Sequence, residues 1–195
     1  MTLDAHALSS RWKRAWPGVR PIGHELRYDR ERWVRFHSLP ESKRYPENES
    51  EYAEVLRRHN TVLDELVSGS SASLLVMTVS WSASALPPPR DADLVQVMPD
   101  AHHWTSVLRE KDEDGDEYWT HVYVTECVWQ PGALDPLLRL VADDGTADVI
   151  VADAELRWLV HPYDGGMDVV TETRAQRNEL RLRHATWLSA YPGGL

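Results

Sequence analysis

Residues 32–47, RWVRFHSLPESKRYPE, crowd Arg32, Arg35, His37, Ser38, Lys43, Arg44 and Tyr45 into sixteen positions. Arg57, Arg58 and His59 follow shortly after. Guanidinium and ammonium groups that converge near the start of a helix can hold a phosphate or a carboxylate, because each donor is charged and the helix end adds unpaired N–H groups. The candidate anion-binding set is Arg35, His37, Lys43, Arg44 and Arg58. A plainer reading competes with it: Glu47, Glu49, Glu51 and Glu54 lie close by, and the same cations would neutralise them.

Other residues have less to offer. His102 or His103 could meet His121 if their strands pair, which would suit a metal. Adjacent residues on a strand point to opposite faces, so only one of the first two can join the third. Cys127 falls inside TECVW, a strand-like stretch where a thiol packs as a small hydrophobe. KDEDGDE (111–117) has calcium-like composition, but counted from Asp112 its glycine is fourth and its twelfth residue is Tyr123, which no EF-hand loop allows. It reads as a solvated hairpin tip. No serine stands in a Gly-x-Ser-x-Gly elbow and no strand–turn–helix glycine motif is present. No catalytic residue, metal or cofactor is assigned.

The elements that position these residues follow from periodicity. Residues 3–16 read as a short, peripheral helix with Leu8, Trp12 and Trp16 on one face. Extended stretches follow at 22–28 and 32–39, the second alternating in period two. A helix runs from about 48 to 67: Asn48 caps it, and Tyr52, Val55, Leu56, His59, Val62, Leu63 and Leu66 form its apolar stripe. Residues 74–81 are a central strand buried on both faces. A short strand at 93–98 precedes a hairpin of 102–109 with 118–129. Asp135 caps a short helix to Ala142, strands follow at 147–151, 156–161 and 167–171, and Thr173 caps the last helix, which carries Leu180, His184, Trp187, Leu188 and Tyr191 before Pro192-Gly193 stops it. The turn Asp164-Gly165-Gly166 is expected to use glycine for positive φ. These elements predict one α+β domain over residues 1–195, a mixed, mostly antiparallel sheet with helices packed on it.

Charge narrows the function classes. The 195 residues carry 21 Lys and Arg against 31 Asp and Glu, a net charge of -10. Residues 1–60 hold 12 cations against 9 carboxylates, while 61–195 hold 9 against 22. So acidic a surface repels a phosphate backbone, which argues against nucleic acid as a partner and favours a basic protein. Asp4 and the lack of an early apolar core argue against a signal peptide, and no apolar run could span a bilayer. A cytoplasmic protein without membrane contact is expected. The one cysteine cannot form an internal disulfide. Nine Trp are many for this length; most belong to the core, and a few on the surface would anchor an interface.

RWVRFHSLPESKRYPENESEYAEVLRRHN (32–60) and WLVHPYDGGMDVV (158–170), with the Trp187-Leu188 helix end, resemble a bacterial family of hypothetical proteins that carry a domain of unknown function. The matching turn positions are Tyr163, Asp164, Gly166, Asp168, Val169 and Val170; where the wider family tends to show an arginine, this chain has Gly165. The resemblance implies a single α+β domain and brings no activity with it. Small acidic α+β bacterial proteins of this character include toxin-immunity proteins. The leading expectation is a non-enzymatic acidic module that binds a basic protein, in the manner of an immunity antagonist, with electrostatic steering setting its rate. The alternative is a small-molecule or phosphate-ligand protein, or an enzyme, that uses the Arg35–Arg44 cluster.

Overall fold

The computed structural model describes residues 4–28, 30–69, 71–111 and 117–189. The acidic stretch 112–116, Tyr191 and Pro192-Gly193 lie outside the described residues. In chain order the helices are α1 (Ala5–Ala15), α2 (Glu49–Ser68), α3 (Ala92–Val97), α4 (Asp135–Ala142) and α5 (Arg174–Arg183). The strands are β1 (Trp33–His37), β2 (Ser73–Ser82), β3 (His102–Lys111), β4 (Glu117–Val128), β5 (Ile150–Asp153), β6 (Leu159–Tyr163) and β7 (Gly166–Val170). They form one seven-stranded sheet in the order β1-β7-β6-β5-β2-β4-β3, and every pairing is antiparallel rather than mixed. Among the described residues no helix is long and apolar enough to cross a membrane.

Strand alternation divides the core in two. Val34, Phe36, Leu74, Val76, Val160, Met167 and Val169 face α2, α4 and α5. Leu75, Met77, Val79, Val122, Val124, Ile150, Leu159 and Val170 face the other way. The N-terminal helix is not peripheral: Leu8 and Trp12 of α1, with Trp16 beyond its end, are buried in this second core. Their indole N–H groups donate to the Val19 and Leu156 carbonyls at 2.8 and 3.0 Å, so burial leaves neither unpaired.

Local chemistry explains where the elements begin. Asn48 Oδ1 accepts from the Glu51 amide at 3.1 Å, and Gly69 closes α2. Thr173 caps α5 through the Gln176 amide, but that helix ends at His184 and gives way to a 3-10 turn at Ala185–Trp187. Three expectations need correction. The expected strand at 93–98 is instead the helix Ala92–Val97 with Met98 at its C-terminal end, because Asp91 accepts from the Asp93 and Leu94 amides and starts a turn. Residues Gly23–Tyr28 form a 3-10 helix instead of an extended segment. Asp135 does not cap α4 through its side chain; its carboxylate accepts from Asn60 Nδ2 at 2.8 Å.

The β6–β7 turn also differs in cause. Among the described residues the glycines with positive φ are Gly18 and Gly132, not those of the turn. Gly166 is required by close approach: a Cβ there would lie 2.2 Å from the Phe36 carbonyl oxygen, which belongs to the paired strand β1. At Gly165 a Cβ would meet the Arg44 and Tyr163 side chains at 3.3 Å, contacts that can yield. Gly166→Ala should therefore destabilise the fold by about 2 kcal/mol or more, while Gly165→Ala costs clearly less. Urea unfolding of the two variants measures the difference, and equal losses would contradict the packing argument.

Candidate functional site

Pairing register builds the site. Arg35 of β1 lies opposite Asp168 of β7, which lies opposite His161 of β6. The next row is His37, Gly166 and Tyr163. Both rows continue the face of the second core, where Trp33, Val170 and Leu159 form the preceding, apolar row. A polar cleft of about 350 Å³ opens there. The 3-10 turn contributes His24 and Arg27, the segment after β1 contributes Arg44, and the loop from α4 to β5 contributes Asp144, Thr146 and Asp148.

Most charges in the cleft are already matched. Arg35 grips Asp168 with two parallel hydrogen bonds, Nε–Oδ1 at 2.8 Å and Nη2–Oδ2 at 2.9 Å. The carboxylate is 1% exposed and the guanidinium side chain 13%. The same guanidinium lies over the rings of Trp33 and Tyr163, at 5.4 and 5.1 Å from their centroids. Arg44 Nε donates to Asp164 at 2.6 Å, so a cation from outside the turn stands beside Gly165. Asp148 Oδ1 accepts from the His24 amide at 3.0 Å and pairs with His24 Nδ1 at 2.6 Å. Arg109 Nη2 donates to His24 Nε2 at 2.8 Å. Arginine has no acceptor, so the hydrogen of the His24 ring sits on Nδ1 and is given to Asp148.

Two ring groups are left to face a ligand. His161 Nδ1 donates to the Val149 carbonyl at 2.8 Å, which leaves Nε2 as the acceptor. Burial holds its pKa below the ordinary histidine value, so the ring is neutral near pH 7. Gly23 packs so closely on this ring that a Cβ would come within 2.3 Å of Nδ1. Burial pushes the Tyr163 phenol up to about 12, keeping its O–H available as a donor. Asp144 and Asp148 both adopt left-handed backbone, with φ of 57° and 56°. Strained φ of this kind persists where surrounding structure holds it, often at binding sites.

Of the five predicted anion-binding residues, Arg35 and Arg44 reach the cleft. Lys43 Nζ binds both Glu51 oxygens at 2.8 Å and Glu47 at 3.1 Å. Arg58 is buried on the other face, bound to Glu54 at 2.6 Å and to the His37 carbonyl at 2.9 Å, under Trp187. His37 lies on the edge strand with a buried Nε2 that meets no hydrogen-bond partner among the described residues, and burial lowers its pKa. Among the turn residues Tyr163, Asp164 and Asp168 line the cleft, and Gly166 supplies the close approach behind them. His24, Arg27, Asp144, Asp148 and His161 escaped the sequence reading, since nothing local marks residues that meet only through long-range pairing.

The other candidates sit apart. His103 and His121 share a face at the opposite end of the sheet, while His102 points to the other face. Among the described residues no three His, Cys, Asp or Glu are grouped to hold a metal ion. Cys127 is half-buried in β4, and burial raises its thiol pKa. Trp81 is the tryptophan left exposed, at 50%.

A family model described as a domain of unknown function (DUF3885) matches residues 22–192. No curated protein and no solved structure matches the chain.

Two outcomes follow from this geometry. Removing one partner of the Arg35–Asp168 pair strands a buried charge, so Arg35→Ala or Asp168→Asn should cost roughly 3 kcal/mol, and replacing both by apolar residues of similar volume should recover most of it. Denaturant titration of the single and double variants tests this. Separately, His59 and His161 are buried with lowered pKa values. The unfolded chain then takes up protons first, so stability is complete above the unfolded value near 6.5 and falls as pH drops below it. The urea midpoint should be lower at pH 5.5 than at pH 7.5; equal midpoints would contradict the neutral, buried state.

Proposed function

The chain belongs to the DUF3885 family, and we propose that it binds a small polar molecule bearing one anionic group in the cleft between β1, β6, β7 and the 3-10 turn. The observation that carries this reading is the balance of the cleft's charge. Arg35, Arg44 and Asp148 are each matched inside the protein and the Asp144 carboxylate lies in the field of Arg44, whereas the Arg27 guanidinium donates to the His24 carbonyl, at 3.0 Å, and meets no carboxylate among the described residues. A ligand carboxylate or single phosphate at Arg27 completes the pattern, and a more highly charged anion would face Asp144, Asp148, Asp164 and Asp168. His161 Nε2 accepts a ligand hydrogen and the Tyr163 hydroxyl donates one. The size, about 350 Å³, falls within the range of small-ligand sites.

The same arrangement supports proton transfer, since a neutral imidazole fixed at Nδ1 is poised to take a proton at Nε2. This reading takes up the small-molecule alternative and not the protein-binding one, whose acidic tip spans residues outside those described.

A thermal-shift screen of amino acids, sugar acids and nucleoside monophosphates tests the proposal. At least one compound should raise the melting temperature, with affinity reduced about tenfold or more in Arg27→Ala, the scale of a charged hydrogen bond. Arg27 is exposed and outside the core, so that variant should retain wild-type stability. Absence of any shift across the panel, or binding indifferent to Arg27→Ala, would overturn the assignment.

A further inference from the structure

The far end of the sheet carries a second polar constellation that the cleft does not use. Cross-strand partners share a face, and on the α2-bearing face of β2, β4 and β3 they form three rows. These are Ser82, Trp119 and Leu108; Ser80, His121 and Ser106; and Thr78, Tyr123 and His103. A β-bulge between His103 and Thr105 is what brings His103 and Ser106 to one face, since residues three apart on a regular strand point oppositely.

Four of these side chains form an unbroken hydrogen-bonded chain. Ser82 Oγ lies 2.9 Å from His121 Nε2, His121 Nδ1 lies 2.8 Å from Ser106 Oγ, and Ser106 Oγ lies 3.0 Å from His103 Nε2. His121 is fully buried, while Ser82, the last residue of β2, is partly exposed. The Ser82 hydroxyl has one hydrogen and two acceptors in reach, His121 Nε2 and the Ser84 carbonyl, each at 2.9 Å. When the hydrogen points to His121, Nδ1–H donates to Ser106 and Ser106 donates to His103, so every member is satisfied. The Ser84 amide meanwhile donates to Ser82 Oγ at 3.2 Å and helps to fix it. Burial lowers the His121 pKa, which leaves the ring neutral and able to accept a proton near pH 7.

A nucleophile, a base within hydrogen-bond reach and a third group that orients the base are the parts of an activated serine. The ring of Trp119 and the 39% exposed side chain of Leu108 extend from Ser82 along the same row as an apolar shelf. We propose that Ser82 is a nucleophile activated by His121, that Ser106 and His103 position that base, and that the unit takes the acyl group of an ester with an apolar acyl part.

In the first step Ser82 Oγ bonds to the carbonyl carbon while its proton passes to His121 Nε2. The ester C–O bond breaks, and the leaving alkoxide takes that proton and departs as the alcohol. Water then adds to the acyl-serine and gives a proton to His121. The carboxylic acid leaves as Ser82 Oγ recovers that proton, so ester and water become acid and alcohol with the enzyme restored.

The experiment treats the wild-type chain with an alkyl fluorophosphonate and maps the adduct by peptide mass spectrometry, then follows hydrolysis of p-nitrophenyl butyrate. A single adduct at Ser82 is expected, absent from Ser82→Ala and formed about a hundredfold more slowly in His121→Gln, the scale of general-base loss. Ser106→Ala should slow the reaction and change its pH profile, with Ser106→Thr restoring both, because threonine keeps the hydroxyl that holds Nδ1. Wild-type protein that forms no adduct at Ser82, or Ser82→Ala protein labelled to the same extent, would overturn the proposal whether or not any variant folds poorly.

Discussion

The bidentate pair between Arg35 and Asp168 is the constraint on which one end of the molecule depends. An almost fully buried carboxylate would be costly without a partner, and its partner must come from the neighbouring strand at one register alone. Slipping β1 by a single residue would drive Arg35 into the core beneath α2 and expose Phe36, because side chains alternate across the pleat. The pair thus acts as a register lock for a strand of five residues that, among the described residues, sits at the edge of the sheet beside β7. Trp33 and Tyr163 flank the guanidinium and shield it from water, so the lock and the wall of the cleft are the same atoms.

What surrounds that pair is held rigidly before any ligand arrives. His161 is fixed through Nδ1 by the Val149 carbonyl and pressed by Gly23, so its orientation owes nothing to a substrate. Asp148 is held in left-handed backbone while it receives the His24 amide and ring. Groups fixed in this way lose little conformational freedom when something binds, which is the usual advantage of a preorganised site. The cost is local strain and buried polarity, and the fold offsets it with two apolar cores whose rows run directly into the polar ones.

Legibility from sequence followed the range of the interactions. The α2 cap at Asn48, the stripe through Val62, Leu63 and Leu66, the β3–β4 pairing and the α5 cap at Thr173 all rest on residues close together in the sequence, and all stand in the structure. The 3-10 helix at Gly23–Tyr28 was hidden because its residues have no helical stripe and are held by tertiary contact with β6 and β7. The α3 helix was hidden because six residues give a periodicity too short to separate from a strand, and only the Asp91 cap decides it. Of the cleft, the turn residues Tyr163, Asp164 and Asp168 and the arginines 35 and 44 were visible as a motif and a cluster. His24, Asp148 and His161 were not, since 124 positions separate the first from its partner and no local rule joins them.

Charge shows most clearly why counting residues falls short of reading a surface. Residues 32–58 look basic around Arg35, Lys43, Arg44 and Arg58, yet each of the four is matched by a carboxylate of the chain itself. Two of those carboxylates, Asp164 and Asp168, come from more than 100 residues away, whereas Glu51 and Glu54 come from α2 beside them. A cation held in a close, partly buried pair projects little field, so the region's potential follows its few unmatched groups and not its composition. By that measure Arg27, which is unremarkable in sequence, has more to offer an incoming anion than any member of the basic cluster. The recognition chemistry of such a protein is written in what its ion pairs leave over.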